Sequence, residues 1–220
     1  MKPKSTAYWF WCGQHLESID VGNLDTSDVT NMNEMFYHVG SKNTSGAVSW
    51  AGIEFMDTSK VKTMNRMFYA LMYYGSNVSY DIPLPNLATR TVTWQGRTYT
   101  AWDVSNVEDF GYMWSNACSK TPGLVNFTGS DGALGTWDTS SALDMQNMFG
   151  SFGYYASRVP LGAIQNWDTS SCENMDMMFY MFGSYKKTPE YDLSSWNVSN
   201  VITHTNFNYD ATQITSPRWP

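Results

Sequence analysis

A thirteen-residue pattern of apolar and polar positions occurs six times along the chain. Counting the first residue of a copy as zero, apolar residues typically stand at positions five, eight, eleven and twelve. In the second copy these residues are Val61, Met64, Met67 and Phe68. Because this spacing is that of one helical face, it predicts a short amphipathic helix in each copy. The copies begin at Leu24, Met56, Trp102, Trp137, Trp167 and Trp196.

The polar residues of each copy predict how that helix begins. Position one is Asp in five copies and Asn197 in the sixth, and position three is Ser in all six. A serine hydroxyl can accept a hydrogen bond from the free N–H groups of a helix start, so we expect a helix-entry turn here. Residues that favour β-structure precede several copies, as in 16–21, and predict a strand. The expected fold is therefore an α/β repeat, a leucine-rich-repeat-like solenoid of about six strand–turn–short-helix coils with a parallel β-sheet.

The intervals between copies predict the domain organisation. The repeats occupy residues 16–207, with an N-terminal cap at 1–15 and a tail or linker at 208–220. The longest interval lies before Trp102 and holds an insertion at about 86–101. Within it, residues 91–100 alternate around a Gln-Gly pair, which predicts a β-hairpin that projects from the stack.

The sequence from Leu16 to Phe36, LESIDVGNLDTSDVTNMNEMF, resembles a known repeat. It is similar to the unit of BspA-like bacterial surface proteins, in which a strand precedes Trp-Asp-Thr-Ser-Asn-Val and then Met-x-x-Met-Phe. The resemblance covers most of the chain. It implies a leucine-rich-repeat type of solenoid and a role in adhesion or interaction at a cell surface. The chain differs from that pattern in its aromatic-rich excursions and its inserted hairpin.

Charge and hydropathy exclude several classes of partner. The net charge is −7, and Lys and Arg do not cluster, so we expect neither nucleic acid nor an anionic membrane surface as a partner. No apolar run approaches the roughly 20 residues of a membrane span, so membrane insertion is not expected. The first residues lack the apolar core of a secretory signal. We nevertheless expect an extracellular or surface-attached protein, as a fragment or a particle component, because neutral polar groups dominate the composition.

Metal and catalytic chemistry find little support in the sequence. The three histidines stand in different repeats and no cysteines are paired, so no metal site is predicted; they are His15, His38 and His204. The aspartates at position one are interpreted as helix caps, with calcium held between turns as the alternative. No nucleophile elbow or phosphate-binding loop occurs, so we predict no catalytic residue, no cofactor and no enzyme activity. We expect buried thiols at Cys12, Cys118 and Cys172, with a disulfide or a reactive thiol as alternatives.

The candidate binding residues are aromatic. Excursions rich in Tyr, Gly and Ser follow three of the expected helices at the same point, which predicts that they share one edge of the stack. Tyrosine with small polar residues is typical of recognition loops. The predicted binding residues are Tyr74, Tyr155 and Tyr185, together with Trp94 of the hairpin. The alternative is that aromatic residues of these excursions, such as Tyr73 and Phe152, fill the space between helices.

Methionines at positions eight and eleven have helical spacing and are interpreted as core, not as an adaptable binding surface. They are Met32, Met35, Met64, Met67, Met145, Met148, Met175 and Met178. The resulting hypothesis is a non-enzymatic adhesion module that recognises a glycan or a protein receptor on a cell surface. The alternative is a structural fibre or decoration subunit of a cell surface or virus-like particle, which self-associates through its ends or aromatic patches.

Overall fold

The computed structural model describes residues 2–43, 46–73, 81–128, 133–185 and 190–220. Eight short strands lie in this part of the chain: β1 (Ser18–Asp20), β2 (Ser49–Ala51), β3 (Ile82–Leu84), β4 (Arg90–Trp94), β5 (Arg97–Ala101), β6 (Val125–Phe127), β7 (Tyr191–Asp192) and β8 (Ile214–Thr215). Three 3-10 helices accompany them: Ile53–Phe55, Ala133–Thr136 and Ile164–Asn166. Among the described residues there is no α-helix, and none forms a helix long and apolar enough to cross a membrane.

The strands form four separate two-stranded sheets. Strand β1 pairs with β2, β3 with β6 and β7 with β8, each in parallel, and β4 pairs with β5 in antiparallel orientation. The expected leucine-rich-repeat-like solenoid is therefore wrong in two respects. Its short helices do not form in the described residues, and its strands do not join into one parallel sheet.

In place of a helix, positions seven to sixteen of each copy form a run of β-turns, here called a turn segment. In the first copy the N–H of Met35 donates to the carbonyl of Met32, and the N–H of Tyr37 donates to that of Glu34, both at 3.2 Å. Bonds between residues three apart define β-turns. Glu34 and His38 have φ of 54° and 57°, so the chain enters the left-handed region every fourth residue. The six turn segments span residues 31–40, 63–72, 109–118, 144–153, 174–183 and 203–212.

Turn segments of successive copies are hydrogen-bonded side by side. The N–H of Glu34 donates to the carbonyl of Asn65, and the N–H of Phe36 to that of Met67, both at 2.9 Å. A series of parallel bridges crosses all six copies in sequence order, through Asn31, Thr63, Asp109, Asp144, Asn174 and Thr203. Ser5 bridges to Asn31, so residues from Ser5 onward add one more turn segment before the first copy.

The apolar spacing that predicted a helix fits the turn segment equally well. Its buried side chains stand at positions eight, eleven, twelve and fifteen, and the first and last are seven residues apart, which is about two helical turns of 3.6 residues. In the first copy these residues are Met32, Met35, Phe36 and Val39, all with no exposed surface. Backbone pairing differs, because half of the N–H groups bond to the neighbouring copy. Hydrophobic periodicity alone therefore does not separate the two structures.

The core follows the predicted positions. All eight methionines predicted as core are fully buried, which confirms that interpretation. The large apolar residue at position zero of every copy also predicts an internal column, and the tryptophans confirm it. Trp137 stacks between Trp102 and Trp167 with ring centroids 6.3 Å from each, and Trp167 stacks on Trp196 at 6.2 Å. Each of these four rings lies at least 95% out of solvent.

The aspartates at position one cap a turn, not a helix. Asp138 Oδ1 accepts a hydrogen bond at 3.0 Å from the backbone N–H of Ser140, and Asp25, Asp57, Asp103 and Asp168 do the same for the serine two residues on. The expected role of the serine hydroxyl as a helix cap is therefore wrong. The carboxylate closes an Asx turn. Within the described residues no group of three or more His, Cys, Asp or Glu side chains could hold a metal ion.

The predicted hairpin is confirmed, but it does not project. Strands β4 and β5 pair from Arg90 to Ala101 around Gln95 and Gly96, which have φ of 49° and 76°. The hairpin lies against the first two copies, because Arg97 forms ion pairs with Asp25 at 3.0 Å and Asp57 at 3.1 Å.

A glycine substitution distinguishes a turn segment from a helix. Ser151 has φ of 54°, so Ser151→Gly should raise the free energy of unfolding by about 0.5–1 kcal/mol by relieving left-handed strain. In a helix the same change would lower it by a similar amount. Chemical denaturation measures the difference, with Gln146→Gly as the control in the same turn segment, where a loss is expected. A loss for both variants would contradict the turn geometry.

Candidate binding face

Two of the four predicted binding residues lie together. Tyr155 and Tyr185 stand at position eighteen of adjacent copies, are 37% and 63% exposed, and have ring centroids 5.6 Å apart. The ammonium of Lys120, at the same position of the third copy, lies 5.1 Å from the ring centre of Tyr155. Tyr74, which has this position in the second copy, lies outside the described residues.

Trp94 lies elsewhere and is half-buried. Its ring stacks on Phe55 with centroids 4.0 Å apart and planes within 4°, and its Nε1 donates to the carbonyl of Gly22 at 3.2 Å. One face of the ring and the indole N–H therefore serve to hold the hairpin against the repeats. A cavity of about 230 Å³ lies between the hairpin and the first two copies, and its lining includes Trp94 and Arg97 of the hairpin and Asp57 of the second copy.

A second set of aromatic residues forms a row across the turn segments at position thirteen. Backbone bonds fix the order of this row, since the N–H of His38 donates to the carbonyl of Tyr69 and the N–H of Met181 donates to that of Tyr209. We call the row the tyrosine column; it contains Trp11, Tyr37, Tyr69, Ser115, Gly150, Tyr180 and Tyr209. Rings therefore occupy both ends of the column, and small residues occupy its middle.

The N-terminal rings of the column are stacked. Trp11 and Tyr37 have centroids 6.0 Å apart with planes within 17°, and Tyr37 and Tyr69 have centroids 5.0 Å apart with planes within 7°. Stacked rings cover one another's faces and present their edges and hydroxyl groups. Burial, followed by the neighbouring Tyr69 and Glu34, raises the pKa of Tyr37 above its usual value. Its hydroxyl therefore remains a hydrogen-bond donor at neutral pH.

Charged side chains at position ten flank these rings. Trp11 Nε1 donates to Glu34 Oε2 at 3.0 Å, and Arg66 Nη1 lies 3.8 Å from Glu34 Oε1. The Arg66 guanidinium carbon lies 4.9 Å from the ring centre of Tyr112, within cation–π distance. These residues line an open cavity of about 300 Å³. We call this surface the N-terminal tyrosine patch; it consists of Trp11, Glu34, Tyr37, Arg66, Tyr69 and Tyr112.

A second, smaller cavity continues the patch toward the ends of the turn segments. It has a volume of about 210 Å³ and is lined by His38, Tyr69, Ala70, Tyr73 and Asn116. Asn116 Nδ2 donates to the hydroxyl of Tyr69 at 3.3 Å. Burial and then the charge of Lys42 lower the pKa of His38, so its imidazole is neutral at pH 7. The two cavities together give the N-terminal half of the turn segments a polar and aromatic surface.

The binding residues predicted from the sequence stand at position eighteen and at Trp94, and none of them stands at position thirteen. A signal was present, because a tyrosine directly follows the repeated Met-Phe pair in three copies, as Tyr37, Tyr69 and Tyr180. In the expected helix, nothing would have indicated that the side chains at this position of successive copies contact one another. In the turn segment it lies beside the same position of the next copy.

The structure shows no disulfide and no activated thiol at the three cysteines. All three thiols are free. Cys118 and Cys172 are buried as predicted, and burial raises the pKa of Cys172 to about 12 and that of Cys118 further. Cys12 is only partly buried, and its pKa is also raised, first by burial and then by Glu34. A protonated thiol is a poor nucleophile, so none of the three is activated.

The comparisons place these features in a family. The family model described as "Mycoplasma protein of unknown function, DUF285" matches residues 12–128, 86–160 and 125–218. No curated protein and no solved structure matches the chain. The three matches overlap and together include all six copies of the repeat. The chain therefore belongs to this family of repeat-containing proteins, DUF285.

Proposed function

We propose that the protein is a non-enzymatic binding module that recognises a protein partner through the N-terminal tyrosine patch. The observation that carries the proposal is the composition of this patch: one tryptophan, three tyrosines and one arginine gathered around an open cavity. Trp, Tyr and Arg are the residues that most often dominate the binding energy of protein interfaces. Trp11 is 51% exposed, and the other rings are half-buried and held in place by stacking.

The ring geometry favours a protein over a glycan. A sugar packs against an open aromatic face, whereas the faces of Tyr37 are covered by Trp11 and Tyr69. The edges and hydroxyls that remain suit a surface that supplies both hydrogen bonds and apolar contacts. Stacking also limits ring motion in the free protein, which lowers the entropic cost of binding.

The similarity to BspA-like surface proteins supports an adhesion role at a cell surface, and with it an extracellular or surface-attached location. The low fraction of charged residues, 15%, agrees with that setting. The structural alternative is supported by backbone groups in the first and last turn segments that have no hydrogen-bond partner among the described residues.

The double variant Tyr37→Ser and Tyr69→Ser should weaken binding at least tenfold. Loss of a single interface anchor can cost about 2 kcal/mol or more, and tenfold corresponds to about 1.4 kcal/mol. The measurement is saturation binding of fluorescently labelled protein to cultured epithelial cells by flow cytometry. Thermal unfolding followed by circular dichroism verifies that the variant is folded.

The matched control is the double variant Tyr155→Ser and Tyr185→Ser, which changes two exposed tyrosines at position eighteen and should bind normally. Trypsin treatment of the cells should abolish binding of the wild-type protein. Periodate treatment, which destroys glycans, should not. Loss of binding only in the control variant, or sensitivity to periodate alone, would contradict the proposed site or the proposed partner class.

A further inference from the structure

The N-terminal turn segment has a row of unpaired carbonyl groups on its outer edge. The N–H groups of Thr6, Tyr8 and Phe10 donate to the first copy, at 2.9–3.1 Å. The carbonyls of the alternating residues point the other way and have no hydrogen-bond partner among the described residues; they belong to Ser5, Ala7 and Trp9. In every inner copy the equivalent carbonyls accept bonds from the preceding turn segment, as that of Met35 does from Phe10.

The sixth copy has the complementary row. Its carbonyls accept bonds from the fifth copy, at Thr203, Thr205 and Phe207. The alternating N–H groups point away and find no partner in the part of the chain that the structure describes; they belong to His204, Asn206 and Asn208. One outer edge of the described stack thus offers acceptors and the other offers donors, at the same positions of the repeat. Unpaired edges of this kind are templates for pairing with another chain.

The two ends also carry complementary parts of a repeat. Strand β8 pairs with β7, and Trp219 stacks on His204 with centroids 4.0 Å apart. Within the stack, Trp137 at position zero of the fourth copy stacks in the same way on Phe110 at position eight of the third copy, with centroids 5.8 Å apart. Trp219 therefore contacts the sixth copy as a position-zero residue would. Residues 214–219 therefore occupy the places of the strand and position zero of a further unit, and residues from Ser5 onward occupy the place of a turn segment.

Exposed apolar side chains concentrate at the same two ends. Eight large hydrophobic residues in the described ranges are exposed, and five of them lie in the two terminal turn segments or beside them. At the N-terminal end they are Tyr8 at 59%, Trp9 at 41% and Trp11 at 51%, and at the C-terminal end Ile202 at 80% and Tyr209 at 55%. Tyr209 and Trp11 are the two ends of the tyrosine column. Such clusters of exposed apolar surface mark interaction sites.

We propose that a second copy of this chain docks head to tail, with the N-terminal turn segment of one molecule against the sixth copy of the next. The register of the inner copies pairs the N–H of His204, Asn206 and Asn208 with the carbonyls of Ser5, Ala7 and Trp9. Strand β8 then lies beside β1, and Tyr209 lies beside Trp11. Because each molecule uses two different surfaces, the contact does not close on itself, and association continues into linear oligomers.

Residues at position six of the repeat offer a sharp test of this register. Backbone hydrogen bonds join the position-six residues of neighbouring copies along the whole stack. The N–H of Ile202 donates to Glu173, and the N–H of Thr30 donates to Lys4, with four copies between. Side chains in this column meet across neighbouring copies, as Lys62 and Glu108 do at 2.8 Å. Ile202 of one molecule would therefore meet Lys4 of the next. Both side chains are exposed, so charge changes there leave the fold intact.

The wild-type chain, of mass 25.0 kDa, should show a weight-average mass that rises past that of a dimer when its concentration increases from about 5 µM to about 500 µM at low salt. Ile202→Lys should weaken association at least tenfold, because it places like charges at the junction. Adding Lys4→Glu to that variant should restore association to within about threefold of wild type. Sedimentation equilibrium measures the masses, and circular dichroism verifies the fold.

Three results would overturn the proposal: a monomer at every concentration, a species that stops at the dimer, or equal association of Ile202→Lys and the wild type. Failure of Lys4→Glu to rescue would also count against this register. Neither Ile202 nor Lys4 belongs to the N-terminal tyrosine patch, so these variants test self-association without changing a side chain of the patch; Trp11 is the one residue of the patch that lies at the proposed junction.

Discussion

Trp137→Ala should lower the free energy of unfolding by about 3–5 kcal/mol, as truncation of buried aromatic residues does. The ring is 4% exposed and stacks on Trp102 and Trp167, each with centroids 6.3 Å away. Its Nε1 donates to the carbonyl of Leu87 at 2.7 Å. The variant therefore leaves a cavity between three successive copies and removes the partner of a buried carbonyl, which adds to the loss.

Urea unfolding of the wild type and the variant measures this loss. Tyr155→Ala is the control, because its ring is 37% exposed and its removal should cost about 1 kcal/mol or less. Similar losses for both variants would contradict the assignment of Trp137 to a continuous internal column.

The sequence was sufficient to predict which side chains form the core. Copies of a pattern reveal the positions that stack on themselves, whatever backbone connects them, because equivalent side chains must pack against each other. This is why the burial of Met64 and Met145 and the stacking of Trp167 on Trp196 were predicted correctly although the backbone was not.

The backbone was predicted wrongly because its deciding features have weak signals in the sequence. Position ten has a left-handed φ in all six copies, yet in four of them it is Glu34, Arg66, Tyr112 or Met177, residue types that do not indicate this conformation. The strain at each position is offset by hydrogen bonds to the adjacent copy, such as that from Arg66 N–H to Gly111 O at 2.9 Å. Bonds between copies are invisible to any reasoning that treats one copy alone.

The tyrosine column was not predicted for the same reason. A helix and a turn segment bury the same apolar positions but direct the polar positions between them differently. Tyr37 and Tyr69 therefore become neighbours, with centroids 5.0 Å apart, because adjacent turn segments are in register.

The hairpin was predicted correctly in its local structure, because its turn at Gln95 and Gly96 depends only on residues that are adjacent in the sequence. The position of the hairpin against two copies was not predicted, because it depends on ion pairs that Arg97 makes with distant residues.

Gly52→Ala should lower the free energy of unfolding by about 2–5 kcal/mol, for two separable reasons. Gly52 has φ of 81°, which an L-residue adopts only at a cost. A methyl group there would also lie 2.4 Å from both the Cα and the N of Gly22, which follows β1. These are backbone atoms, so β1 and β2 would have to move apart to accommodate it. Their pairing joins the first two copies on the strand side of the molecule.

Gly96→Ala separates the two contributions. Gly96 has a similar φ of 76° at the tip of the hairpin, and a methyl group there would meet no atom within 4 Å. This variant carries the conformational cost alone, about 1–2 kcal/mol. Urea unfolding of both variants should therefore show the greater loss for Gly52→Ala, and the difference measures the close approach of the first two copies. Equal losses would mean that the two copies can separate at this point without cost, contrary to the tight contact between Gly22 and Gly52.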